Sequence, residues 1–147
     1  MPNKLKKSAG GTAIQITKAA RQAGMLKDNN DENPKLAKVR IYSFDRLLVA
    51  IDIERMNQKE ISEIIIQAIE ETQTVFDAQK AGIQSAGNGY QLQLPPAEDA
   101  GFEIGDMLEC QSAPSLLIFT GVGVNPIKSK LLEIRRTQLS NDKNEYS

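Results

Sequence analysis

The spacing of apolar residues changes period several times along the chain, and each change marks an element. Residues 1–7 are polar and lysine-rich, with no periodic apolar face, and read as a mobile lead. From Thr12 to Ile16 the pattern alternates, with Ile14 and Ile16 on one face and Gln15 on the other, which predicts a half-buried strand. Thr17 is placed to cap a short helix over Lys18–Ala23, stopped by Gly24. KDNNDENP at 27–34 has no apolar residue with which to join a core and predicts a loop. KVRIYSFDRLLVAIDI at 38–53 begins with strict alternation and ends in an aliphatic run, predicting a hairpin that turns at Ser43-Phe44-Asp45, with the second strand more buried.

The strongest helical signal spans Asn57–Lys80. Ile61, Ile64, Ile65, Ala68, Ile69, Thr72, Val75 and Phe76 recur at helical spacing. Asn57 followed three residues later by Glu60 predicts a capping box, and Gly82 a stop. Beyond it, Tyr90–Leu94 reads as a strand ended by Pro95-Pro96, then a helical turn over Glu98–Ala100 and a tight turn at Gly105-Asp106. Met107–Gln111 and Leu116–Thr120 predict a second hairpin around residues 112–115. Ile127, Leu131, Leu132 and Ile134 suggest a short amphipathic helix, and residues 140–147 read as disordered.

These elements repeat. SAGGTAIQITKAARQAG at 8–24 and SAGNGYQLQLPPAEDAG at 85–101 share Ser-Ala-Gly, a further glycine, an apolar-Gln-apolar strand and a closing Ala-Gly. In each case a hairpin follows. A three-stranded unit of this size buries its own faces poorly, so two of them are expected to pair about a pseudo-two-fold axis. The predicted fold is mixed α+β: a small β-barrel of two pseudo-symmetric repeats joined by the long amphipathic helix. The expected boundaries are 1–54 for a basic first repeat, 55–84 for the connecting helix, 85–123 for an acidic second repeat and 124–147 for a short helix and tail.

The second copy resembles the AbrB/MazE/SpoVT swapped-hairpin family. The matching residues are Gly89, Leu92-Gln93-Leu94-Pro95, the turn from Ala97 to Gly101, and Gly105-Asp106 leading into Met107-Leu108-Glu109-Cys110. The first copy keeps Gly11, Ile14-Gln15-Ile16 and Gly24, with Thr17 in place of the proline and a polar loop where Gly-Asp would be. The resemblance implies a dimeric DNA-binding protein or antitoxin that contacts DNA through basic residues of the first strand and short helix. Arg21 and Lys18 fall on that helix, and Lys4, Lys6 and Lys7 on the approach to the strand. Arg40, on the hairpin's first strand, joins this expected nucleic-acid-binding set. The chain departs from the family after the glycine, where an arginine is usual and Thr12 and Tyr90 stand here. Glu98 and Asp99 in the second copy oppose phosphate, so the first repeat alone is expected to bind double-stranded DNA.

Charge sharpens this division. The net charge of −1 conceals a front of ten cations against four carboxylates in residues 1–50, and twelve carboxylates against three cations in residues 51–121. A basic segment of this kind suits a phosphate backbone or the acidic segment of its own chain. With no histidine and a single cysteine, Cys110, the usual zinc and haem ligand sets cannot be assembled, and neutral-pH acid–base chemistry lacks its usual group. Neither cofactor, metal nor enzymatic activity is therefore expected. No apolar run approaches the roughly 20 residues of a membrane span and no secretory leader precedes the first strand, so the cytoplasm is the expected compartment.

A second reading keeps the barrel but drops DNA. Here the protein is an interaction or assembly factor, with Ile61, Ile64, Ile65, Ile69 and Phe76 as a homo-oligomer or partner interface. A helix-turn-helix around ITKAARQAGM ranks behind both, because KDNNDENPK is too polar and proline-broken for a recognition helix.

Overall fold

Backbone pairing in the computed structural model, which describes residues 3–8, 11–27, 35–36, 38–74, 78–81, 83–86, 89–93, 100–122 and 130–145, follows the periods read above with several changes of boundary. The elements are β1 (Asn3–Lys4), β2 (Lys6–Ser8), β3 (Gly11–Gln15), α1 (Thr17–Gln22), β4 (Leu26–Lys27), β5 (Lys35–Leu36), β6 (Val39–Phe44), β7 (Leu47–Asp52) and α2 (Gln58–Thr72). There follow β8 (Ala78–Ala81), β9 (Ile83–Ala86), β10 (Gly89–Gln93), β11 (Met107–Ala113), β12 (Leu116–Gly121) and α3 (Leu131–Glu145). The class is mixed α+β. A six-stranded antiparallel sheet runs β1-β11-β12-β7-β6-β8, a four-stranded one β2-β3-β10-β9, and β4 pairs with β5. The sequence predicts one closed barrel, whereas the described ladders form these separate sheets. Both large sheets draw on the same stretches of chain: residues 3–8 pair with β11 and then β3, while residues 78–81 pair with β6 and 83–86 with β10.

The sheet centres carry the longest apolar runs. Leu48, Ala50, Leu117 and Phe119 point into a core shared with Leu5, Ile14, Ile16, Ile83, Leu92 and Phe102 of the smaller sheet and its connections. Leu47, Val49, Ile51, Leu116 and Ile118 point the other way, onto Ile64, Ala68 and Leu131 of the two long helices. Because β7 and β12 are covered on both faces, their residues read as continuous apolar runs rather than as alternation. Val49 pairs with Ile118 at the middle of the large sheet, and Ile14 with Leu92 in the small one.

Several boundaries differ from those predicted. The N-terminal segment is no mobile lead at residues 3–7: Leu5, only 1% exposed, fills the first core between outward lysines, and its N–H donates to the Asp106 carbonyl at 2.8 Å. One buried leucine flanked by polar residues leaves no period for a sequence reading to detect. At α1 the N-cap position is Ile16, without a side-chain cap, rather than Thr17. The hairpins turn at Asp45-Arg46 and Pro114-Ser115, with Arg46 and Ser115 at φ 63° and 66°.

The capping box at α2 is formed as predicted, with Asn57 Oδ1 accepting from the Glu60 N–H at 2.8 Å and Glu60 Oε1 accepting from the Asn57 N–H at 3.0 Å. That helix ends at Thr72, with Gln73 left-handed at φ 59°. It is therefore shorter than the predicted span to Lys80, and residues 78–81 and 83–86 are strands, so 55–84 is not one connecting helix. Phe76, Pro95-Pro96, Glu98 and the loop at 28–34 lie outside the described residues. At the other end, α3 continues through Glu145 into the segment predicted disordered. No glycine or proline interrupts 131–145, and extending an existing helix costs little.

The long helices pack antiparallel across the large sheet. Glu71 near the end of α2 accepts the Lys130 N–H at 2.7 Å, while Arg135 of α3 meets Glu60 at the start of α2. Ile64 is buried and Ile61 and Ile65 pack against the same core, so these three members of the predicted oligomer interface are taken up within the chain. Ile66 and Ile69 remain exposed, at 56% and 37%. No helix among the described residues is long and apolar enough to cross a membrane.

Candidate nucleic-acid interface

Five of the six predicted cationic positions lie on two neighbouring elements, the N-terminal strand and α1. On the strand, Leu5 turns inward, and Lys4 and Lys6 alternate with it onto the outer face. Lys6 stands opposite Ala13 and Lys7 opposite Thr12 on β3. All three lysines are exposed. On α1, Ala20 and the following Ala23 enter the core, which leaves Lys18, Arg21 and Gln22 exposed on the opposite side. Asn3 Nδ2 donates to the Gln15 carbonyl at 2.9 Å, which fixes the N-terminal strand to the end of β3, two residues before α1 begins.

The short helix is held at both ends. Before it, the Ile16 N–H donates to the Tyr90 carbonyl at 3.0 Å, and after it the Met25 N–H reaches the Ala20 carbonyl at 2.9 Å and the Ser115 N–H the Ala23 carbonyl at 2.8 Å. Gly24 takes φ 74°, a left-handed conformation suited to glycine, and its carbonyl accepts from Arg55 Nη1 at 2.9 Å. A six-residue helix is too short to be stable by itself, so these bonds and its alanine face define its position.

Arg40 does not join the group. Its neighbours Val39 and Ile41 point into the first core, so Arg40 projects from the other face of β6, where it is half-buried. In the large sheet β6 lies four strands from β1. The hairpin pattern correctly turned Arg40 away from the core, but only strand order shows that this is away from the other cations.

Between α1, the N-terminal strand and β11 lies a cleft of about 480 Å³ lined by Asn3, Gln15, Ile16, Lys18, Ala19, Gln22 and Cys110. Gln22 Oε1 accepts from Ser112 Oγ of β11 at 3.2 Å. The carboxamides were absent from the predicted set; the only sequence signal was the outward position of Gln15 in its strand. Burial pushes the Cys110 thiol up from 9.0 to about 12. Its thiolate fraction at pH 8 is therefore expected to be about a thousandfold below that of a free cysteine, and alkylation correspondingly slow until the chain unfolds. Because the folded state holds this proton more tightly, the thiol's contribution to stability is intact below pH 9.0 and is lost as pH rises from there toward about 12. Iodoacetamide labelling followed by mass, with and without urea, checks the first expectation; rapid labelling of the folded protein would contradict it.

Among the described residues no three Cys, Asp or Glu side chains come together in a manner suited to a metal ion. Comparison with known protein families, with curated proteins and with solved structures finds no match to this chain.

Proposed function

We propose that this protein is a non-enzymatic, duplex-DNA-binding regulator or antitoxin-like protein, a diverged relative of the swapped-hairpin family fused as two repeats, with phosphate contacts confined to the first. The observation that carries the reading is that exposed Lys4, Lys6, Lys7, Lys18 and Arg21 stand on the N-terminal strand and α1, which line one cleft through Asn3 and Lys18, set against their loss at the duplicate positions.

Pairing registers support the duplication. Shifting residues 3–15 onto 81–93, and 39–52 onto 108–121, carries the described ladders of one half onto those of the other. Thus Lys6↔Ala13 corresponds to Gln84↔Gln91, and Asn3↔Leu108 to Ala81↔Val39. The pairs Ile14↔Leu92 and Val49↔Ile118 then lie on the pseudo-two-fold axis. The bond from the Ser115 N–H to the Ala23 carbonyl is matched by one from Arg46 to Ala100, both at 2.8 Å. In this reading residues 3–8 and the strands β8 and β9 bind the two sheets into one barrel, and α3 is the duplicate of α2. By the same shift Lys6, Lys7, Lys18 and Arg21 become Gln84, Ser85, Pro96 and Asp99. A two-fold DNA-binding surface thereby becomes one-sided.

Binding of this kind releases counterions and depends steeply on salt. Titration of a labelled duplex at two salt concentrations is expected to show tight binding at low salt. Lys18→Ala with Arg21→Ala is expected to reduce the salt slope by about two and weaken binding to all sequences alike. Absence of binding at low salt, or a slope unchanged in the double variant, would overturn the reading. That outcome would favour the alternative, a protein-interaction factor, for which exposed Ile66 and Ile69 on α2 are the supporting feature.

A further inference from the structure

Phosphate contacts hold a protein on DNA without selecting a sequence; selection needs groups that present donors and acceptors to base edges. Such groups stand among the cations. Gln15, Lys18 and Gln22 are all exposed on the lip of the cleft beside α1. Lys18 and Gln22, four residues apart, share one side of the helix, and Gln15 precedes it at the strand end. Resting on the duplex-DNA reading above, we propose that Gln15 and Gln22 are specificity-determining residues, with Gln15 selecting an adenine in the major groove.

The two carboxamides have different roles. Gln22 is tethered: its Oε1 accepts from Ser112 Oγ, which leaves the two N–H groups of Nε2 as donors for a base acceptor. The backbone carbonyl of Gln15 is occupied by Asn3, but its own side-chain amide has no hydrogen-bond partner among the described residues. It therefore offers a donor and an acceptor together, the pair that matches adenine N7 and N6. Lys18 and Arg21 stand on α1 with Gln22, and Lys6 and Lys7 on the strand paired with β3, which carries Gln15. Phosphate contacts by Lys18, Arg21 and the strand lysines would set the register in which Gln15 meets a base. An α-helix such as α1, about 10–12 Å across with its side chains, fits the roughly 12 Å width of the major groove. Its anchoring through Ile16, Ala23 and Gly24 keeps the lip fixed, so little ordering is needed on binding.

The duplicate positions sharpen the assignment. Gln15 corresponds to Gln93, but Lys18 corresponds to Pro96, and Asn3 to Ala81. A carboxamide alone is retained there without the cations that would bring it to DNA, so one base-reading centre is expected per chain.

The experiment is enrichment from a pool of randomised short duplexes by the full-length protein, followed by titration of the enriched duplex and a scrambled one. The wild type is expected to enrich a motif containing a fixed adenine and to prefer that duplex by about tenfold or more. Gln15→Met, which keeps length but cannot pair with adenine, is expected to bring this ratio close to one. An enriched duplex carrying an adenine analogue without the N7 acceptor is expected to lose about tenfold in affinity for the wild type, a test that needs no altered protein. Salt-dependent binding with no enriched adenine, or a preference indifferent to the N7 change, would overturn this inference and leave the DNA reading standing. No binding to any duplex at low salt would remove both.

Discussion

Arg135→Ala is expected to lower the unfolding free energy by about 3–5 kcal/mol in urea denaturation. The Arg135 guanidinium is the tie between α2, α3 and the second hairpin. Nη1 donates to Glu60 Oε2 at 2.6 Å and to Gln138 Oε1 at 3.2 Å, and Nε donates to the Pro114 carbonyl at 2.6 Å. Gln138 returns a bond to the Glu60 carbonyl at 3.0 Å. The arginine side chain is 4% exposed and the glutamate 12%, so removal of the cation strands a nearly buried carboxylate that also completes the capping box. Most of the expected loss is this stranded charge rather than the net worth of the pair. A double variant, Arg135→Met with Glu60→Gln, is accordingly expected to be less destabilised than the two single changes summed. A loss below about 1 kcal/mol for Arg135→Ala, the value of an exposed pair, would contradict this account.

Phe119→Ala is expected to cost a similar amount, about 3–5 kcal/mol, for a different reason. Phe119 lies on β12, is fully buried, and pairs with Leu48 on the neighbouring central strand. Its ring fills the core enclosed between the two sheets, where Ile14, Leu92 and Phe102 also meet. Strands on both sides are fixed by their ladders, so the space left by the ring cannot readily collapse. Phe119→Leu retains much of the volume and is expected to cost clearly less. Equal losses for the two variants would show that the core tolerates a void there. The denaturant slope should remain near the wild-type value in each, because the surface exposed on unfolding is nearly the same.

Some features were legible because a local rule was enough to specify them. The two hairpins follow from alternating and aliphatic runs bounded by turn residues, and the Asn57/Glu60 box from a spacing of three. The cations at 4–7, 18 and 21 were likewise visible as a composition bias. Other features depend on partners distant in the chain. Residues 3–4, 6–8, 78–81 and 83–86 become strands because β11, β3, β6 and β10 offer them hydrogen bonds. Without those partners, Val75 and Phe76 simply prolong the helical spacing of α2.

The candidate interface divides in the same way. Sequence alone placed Lys18 and Arg21 on a short helix and Gln15 on the outward side of a strand, since helix and strand periods fix which side chains face away from the core. It also showed two similar units with opposite charge. Tertiary structure decided that the strand bearing Lys4, Lys6 and Lys7 is anchored by Leu5 in the same core that takes Ala20 and Ala23 of that helix, while Arg40 is turned out on a strand four places away. It decided too that the apolar stripe of α2 is largely spent on its own sheet. Periodicity reports a residue's orientation relative to its own element; which element lies next to it depends on the pairing of strands far apart in the chain.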